Sequence, residues 1–175
     1  MELVELKIHG ISYSDNTSGA FAIILDEVNG NKKLPIVIGS YEAQSIAIAL
    51  EKKIKTSRPL THELFKGFAD KFNISLNHIV IHKLSDGVFY SNMVCEKDSE
   101  VVKVDSRTSD AIAVSIRFNA PIFVTKEKLN VINSIIGLAP TIVEPTPTPE
   151  KPASEIGVSI TLLSPNSSNI PFEAL

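Results

Sequence analysis

Polar residues able to do chemistry collect where apolar runs begin: Glu42, then Arg58, Thr61, His62 and Glu63, then Asp105, Arg107 and Asp110, and finally Arg117. His62 is the natural acid–base group, because imidazole titrates near working pH. The competing reading is a surface or capping histidine in a first helical turn. Glu42, Asp105 and Asp110 offer carboxylate oxygens that suit a hard divalent cation such as Mg2+. Acidic residues also sit well at helix starts, where the helix dipole favours negative charge. Arg58, Arg107 and Arg117 can take a phosphate through two parallel N–H bonds, while Arg117 can equally close a helix. Ser106, Thr108 and Ser109 read as turn and cap. His78 and His82 lie four apart in a strand-like run, about 13 Å from each other, too far to grip one metal. Cys95 reads as a small strand residue, and as the single cysteine it excludes an internal disulfide and a cysteine-rich zinc site. No glycine-rich phosphate loop, HExxH or GxSxG is present.

The elements that must hold these groups follow from periodicity. Val101 to Val104 is a strand that runs into five polar residues, Ser106 to Asp110. Ala111 to Ile116 is apolar on nearly every side and predicts a helix buried on nearly every side. Thr108 or Ser109 is expected to cap it. Asn119 to Pro121 end it, and Ile122 to Val124 return as a short buried strand. Upstream, strands are expected over Glu2–Tyr13, Gly19–Asp26 and Lys32–Ile38, with Asn29-Gly30 as a hairpin turn. Ser40 is expected to cap a helix carrying Glu42 and the block Ile46–Leu50, whose small residues allow close approach to the sheet. Thr61 is expected to cap a second helix whose core stripe is Leu64, Phe65, Phe68 and Phe72. Ser75–Leu84 and Val88–Glu96 form a hairpin through Asp86-Gly87, the chain turns again at Lys97–Glu100, and Glu127–Ile136 forms a last helix. Residues 36–50 and 102–116 superpose without a gap at an offset of 66 (104 − 38). Either two strand-to-helix turns coincide or one unit is duplicated; on duplication, the favoured reading, Glu42 and Asp110 occupy related positions. The expected fold is α+β: a mostly antiparallel sheet with two similar strand-turn-helix units packed on it.

With 175 residues, 43% of them hydrophobic, the chain can build one domain with a real core. A net charge of −3 argues against a generic electrostatic nucleic-acid binder. Without an N-terminal signal or a membrane-length apolar run, a cytoplasmic protein that meets no membrane is expected. Beyond the domain at 1–138, residues 139–155 are rich in Pro and Thr and read as an extended linker. In the tail, 156–175, the run Ile156–Leu163 is either an added edge strand or disordered.

Four phrases in sequence order are LPIVIGSYEAQSIAIALE, RPLTHELF, DGVFYSNMV and VDSRTSDAIAVSIRFNAPIFV. Together they resemble the bifunctional nuclease domain family, from Met1 to about Val131. The resemblance implies an α+β domain, often dimeric, found in bacteria and plants, that cleaves both DNA and RNA. Arg58, Pro59, Thr61 and His62 match one family phrase, and Asp105, Ser106, Arg107, Ser109 and Asp110 match another. Thr108 stands where the family usually has proline, which removes a stiffening residue from the turn. The C-terminal helical pair of some relatives has no counterpart after Gly137. The expected function is therefore hydrolysis of DNA and RNA phosphodiesters, assisted by Mg2+ or another divalent cation, in a homodimer. His62, Asp105, Asp110 and Glu42 would be catalytic, and Arg58, Arg107 and Arg117 would bind phosphate. The alternative is a non-catalytic binding module or regulatory dimer using the same polar mouth for an anion or a partner protein, which the acidic balance and the missing catalytic motifs favour.

Overall fold

Alternation of apolar and polar residues places seven strands in one sheet, ordered β3-β2-β1-β7-β4-β5-β6. The computed structural model describes residues 2–13, 21–51 and 56–136. The elements are β1 (Leu3–Tyr13), β2 (Phe21–Glu27), β3 (Lys33–Ile38), α1 (Ser40–Leu50), α2 (Thr61–Lys71), β4 (Ser75–Ser85), β5 (Val88–Lys97), β6 (Glu100–Arg107), α3 (Thr108–Phe118), β7 (Ile122–Thr125) and α4 (Lys126–Ile136). The expected linker at 139–155 and the tail at 156–175 lie outside the described residues. No helix among the described residues is long and apolar enough to cross a membrane.

The sheet is antiparallel except between β4 and β7, where Ile79, Val80 and Ile81 run parallel to Ile122, Phe123 and Val124. Strand order is symmetric about β7: three strands and α1 on one side answer three strands and α3 on the other. Glu42 and Asp110 are each the third residue of their helix, so they are related positions. The relation is set by the helix starts, Ser40 and Thr108, two residues further apart than the gap-free superposition. One face of the sheet carries Leu6, Ile23, Leu25, Leu34, Ile36, Ile79, Ile81, Ile122 and Val124 into a core that α1, α3 and α4 complete. Ala111 to Ser115 are all buried, so α3 is the central helix.

Several local expectations shift. β6 runs straight into α3: Ser106 and Arg107 are still strand and Thr108 is already helix, so no separate polar turn intervenes. Each cap falls one residue earlier than expected, at Gly39, Leu60 and Arg107. None of these uses a side-chain oxygen of its own. For α2 the job is done from inside the helix: the Leu60 N–H donates to the Glu63 carboxylate at 3.0 Å. Asn29-Gly30 does connect β2 to β3, but neither residue takes a positive φ, and Glu27 N–H closes the loop on the Lys32 carbonyl at 2.9 Å. Asp86-Gly87 is a two-residue turn with φ of 52° and 78°. Asp98-Ser99 makes the same turn without glycine, at 52° and 65°.

The largest departure is α2. Its aromatic stripe does not enter the core: Leu64, Phe65, Phe68 and Phe72 are 64%, 42%, 55% and 52% exposed, and only Ala69 is buried. The helix packs on α3 rather than on the sheet. Its phenylalanines instead wall an open apolar groove whose other side is Val102 and Val104 of the edge strand β6. Likewise the block at the end of α1 is only half covered, with Ala47 and Leu50 exposed.

Candidate functional site

The first turns of α1, α2 and α3 and the end of β6 surround one pocket of about 640 Å³. The order β6–α3 brings Asp105, Arg107 and Asp110 to it, α1 brings Tyr41, Glu42 and Ser45, and α2 brings Thr61, His62 and Phe65. Of the residues singled out in the sequence, Glu42, His62, Asp105, Arg107 and Asp110 line this space. Arg117 lies behind it, 7% exposed at its side chain. Arg58 is exposed and not part of the lining. Asp105 is exposed on β6, opposite Asn92.

A continuous chain of polar contacts links the three helices. Arg107 grips Asp110 through Nε at 2.7 Å and Nη2 at 3.1 Å, and reaches Glu42 Oε1 at 2.9 Å. The hydrogen bond and charge of Asp110, and then Glu42, hold the guanidinium of Arg107 above its ordinary value. Gly39 leaves room for the Glu42 carboxylate to fold back over the start of α1, since a Cβ there would collide with it. Asp110 Oδ1 also meets His62 Nε2 at 3.2 Å, and His62 Nδ1 meets Ser45 Oγ at 2.8 Å. Arg117 Nη2 donates to Ser45 Oγ and to the Ser45 carbonyl, each at 3.2 Å, while Nη1 donates to the Ala113 carbonyl at 2.7 Å. Glu63 Oε1 faces Arg117 at 3.8 Å, and Glu63 Oε2 accepts from Thr56 at 3.1 Å. Burial lowers the Arg117 guanidinium from its ordinary value, and the charge of Glu63 opposes that shift.

Ser45 was not legible as a site residue. It follows Gln44 and immediately precedes the apolar block Ile46–Leu50, where its size suggests close packing. Its one signal is that a hydroxyl interrupts the buried face between Ala43 and Ile46. Arg107 changes the meaning of the carboxylates. Glu42 and Asp110 are spanned by its guanidinium, and among the described residues no three His, Cys, Asp or Glu side chains are placed to hold a metal ion. As arranged, the guanidinium of Arg107 occupies the space between Glu42 and Asp110 that a cation shared by the two carboxylates would take.

The sequence profile of the bifunctional nuclease domain matches residues 23–135, a span that includes all the pocket-lining residues and Arg117. The chain belongs to this family. Curated relatives include two uncharacterized proteins of Mycobacterium tuberculosis, from strains CDC 1551 / Oshkosh and ATCC 25618 / H37Rv. Each is 35% identical over 107 residues, covering 61% of this chain and 63% of the relative. The match thus spans less than two thirds of those relatives' length. In this bifunctional nuclease domain, the matched span carries α1, α2 and α3 whole, so the pocket belongs to the shared part of the fold.

Proposed function

We propose that this chain hydrolyses phosphodiester bonds of DNA and RNA in the cytoplasm, with the pocket between α1, α2 and α3 as its site. One observation carries the reading: His62 is held on both ring nitrogens, by Ser45 and by Asp110, at the wall of an open pocket that also presents Arg107. Asp110 accepts only, so the proton on Nε2 belongs to that bond and Nδ1 is left to take a proton from the Ser45 side. An imidazole fixed in that tautomer can receive a proton as a nucleophile attacks phosphorus and return it to the leaving oxygen. Arg107 is 69% exposed at its side chain. It can leave one carboxylate for a phosphate oxygen at small cost, because exposed ion pairs contribute about 0–1 kcal/mol. Family membership supports nucleic acid as the substrate class. No step is assigned to a metal.

The same ion network favours a second reading, a regulatory or binding module. Two of the three carboxylates that line the pocket, Glu42 and Asp110, are engaged with Arg107, and the pocket is acidic where a phosphate must enter. A homodimer belongs to either reading, and the exposed stripe of α2 supports self-association. Purified protein incubated with single- and double-stranded DNA and RNA, with and without EDTA, separates the two. The hydrolase reading expects cleavage that persists in EDTA and falls about 100-fold or more in His62→Ala. Equal rates in wild type and His62→Ala, or no turnover of any substrate, leave the binding reading.

A further inference from the structure

We propose that Ser45 is the nucleophile of this site and forms a covalent phosphoseryl intermediate. The inference rests on the phosphodiesterase reading and names the atom that attacks. A serine inside a helix ordinarily satisfies its hydroxyl on a carbonyl one turn back. Ser115 does so on Ile112 at 2.9 Å, and Ser134 does so on Asn130 at 2.9 Å. Ser45 does not. Its hydroxyl reaches out of its own helix to His62 Nδ1 at 2.8 Å and receives Arg117 at 3.2 Å.

With His62 neutral and Asp110 ionised, the partners set the direction of each bond. A guanidinium only donates, so Ser45 Oγ accepts from Arg117. His62 Nε2 donates to Asp110, so Nδ1 is the acceptor for the Ser45 proton. Serine, base and orienting carboxylate therefore stand in the order that activates a hydroxyl nucleophile, with the two ring nitrogens in exchanged roles relative to the serine-protease arrangement. Arg117 adds a buried positive charge against Oγ, where negative charge grows as the proton leaves. Ser45 is 7% exposed and is among the residues that line the pocket, so it is largely shielded from bulk water beside the space a substrate would fill.

The reaction balances without a metal or redox partner. Ser45 Oγ attacks phosphorus and its proton moves to His62 Nδ1. The phosphorus–oxygen bond to the leaving nucleoside breaks, and that oxygen takes the proton from His62. Water then attacks the phosphoseryl ester, giving its proton to His62, which returns it to Ser45 Oγ as the Oγ–phosphorus bond breaks. The sum is one diester and one water consumed.

Labelling of the full chain with diisopropyl fluorophosphate tests this without needing the natural substrate. Ser45 Oγ would bond to phosphorus, fluoride would leave, and the proton would pass to His62. The expected result is a mass gain mapped to the peptide holding Ser45, absent in Ser45→Ala and about 100-fold slower in His62→Ala. Wild-type protein that is folded by circular dichroism and gains no adduct at Ser45 overturns the proposal, as does equal labelling of folded His62→Ala. Nucleic-acid cleavage by the same preparation separates the two claims. Cleavage without an adduct at Ser45 overturns the nucleophile and leaves the hydrolase, whereas an adduct without cleavage supports the nucleophile and removes nucleic acid as the substrate.

Discussion

Arg107 and Arg117 are the same residue type in opposite surroundings, and breaking their ion pairs should cost different amounts. Arg107 is 69% exposed while Glu42 and Asp110 are 16% and 30% exposed, so its pairs are only partly screened by water. Arg107→Met should lower unfolding free energy by about 1 kcal/mol. Arg117 is buried and faces one carboxylate, so Glu63→Gln leaves a cation with only neutral partners. That change should destabilise by roughly 1–3 kcal/mol, read in urea unfolding of both variants. Cys95 offers a pH test. Burial raises its thiol from the usual value, so the thiolate appears at higher pH in the folded than in the unfolded chain. Alkylation by iodoacetamide should lag an unfolded control at pH 8 and rise only at more alkaline pH. The sign for stability follows: this contribution is whole below the unfolded thiol's pKa and is lost as pH climbs towards the folded one. At this scale the sequence showed which groups carry charge, but not that Arg107 would span two of the three expected cation ligands, because Glu42 and Arg107 are brought together only by the packing of α1 on α3.

Helices and strands were legible wherever a local rule decides them. The α3 core follows from an apolar run with no polar side, and Asn119 closes it in the left-handed region at φ 52°. The caps Gly39, Leu60 and Arg107 each precede a hydroxyl residue, Ser40, Thr61 and Thr108, because the chain turns before the hydroxyl that composition alone favours. Periodicity gave α2 an apolar face without saying what lies opposite it. That face meets a groove, so Phe68→Ser should cost far less than Ile112→Ala, for which complete burial predicts about 2–5 kcal/mol. The turn at Asp98-Ser99 makes a separate forecast. Ser99 holds φ at 65° where glycine carries no steric penalty. Ser99→Gly should raise stability by about 0.5–1 kcal/mol in the same unfolding assay; no change or a loss would mean the turn is not held in that geometry.

Across the whole molecule, two three-strand halves meet at β7, and each half sends a helix back over the sheet with an acidic third residue. The repeat was readable in residues 36–50 and 102–116. The parallel seam between β4 and β7 was not, since its partners lie some forty residues apart and no local pattern marks them. That seam and the helix α2 inserted between the halves make the two mouths into one site, adding His62 from outside the repeat. We propose that this assembled pocket cleaves phosphodiesters through His62 oriented by Asp110. The most direct measurement is kcat/KM on a fluorescent single-stranded RNA oligonucleotide for wild type and Asp110→Asn, from preparations with matching circular dichroism. The variant should be slower by about 100-fold or more; equal values in the two proteins would rule out a role for Asp110 in orienting His62.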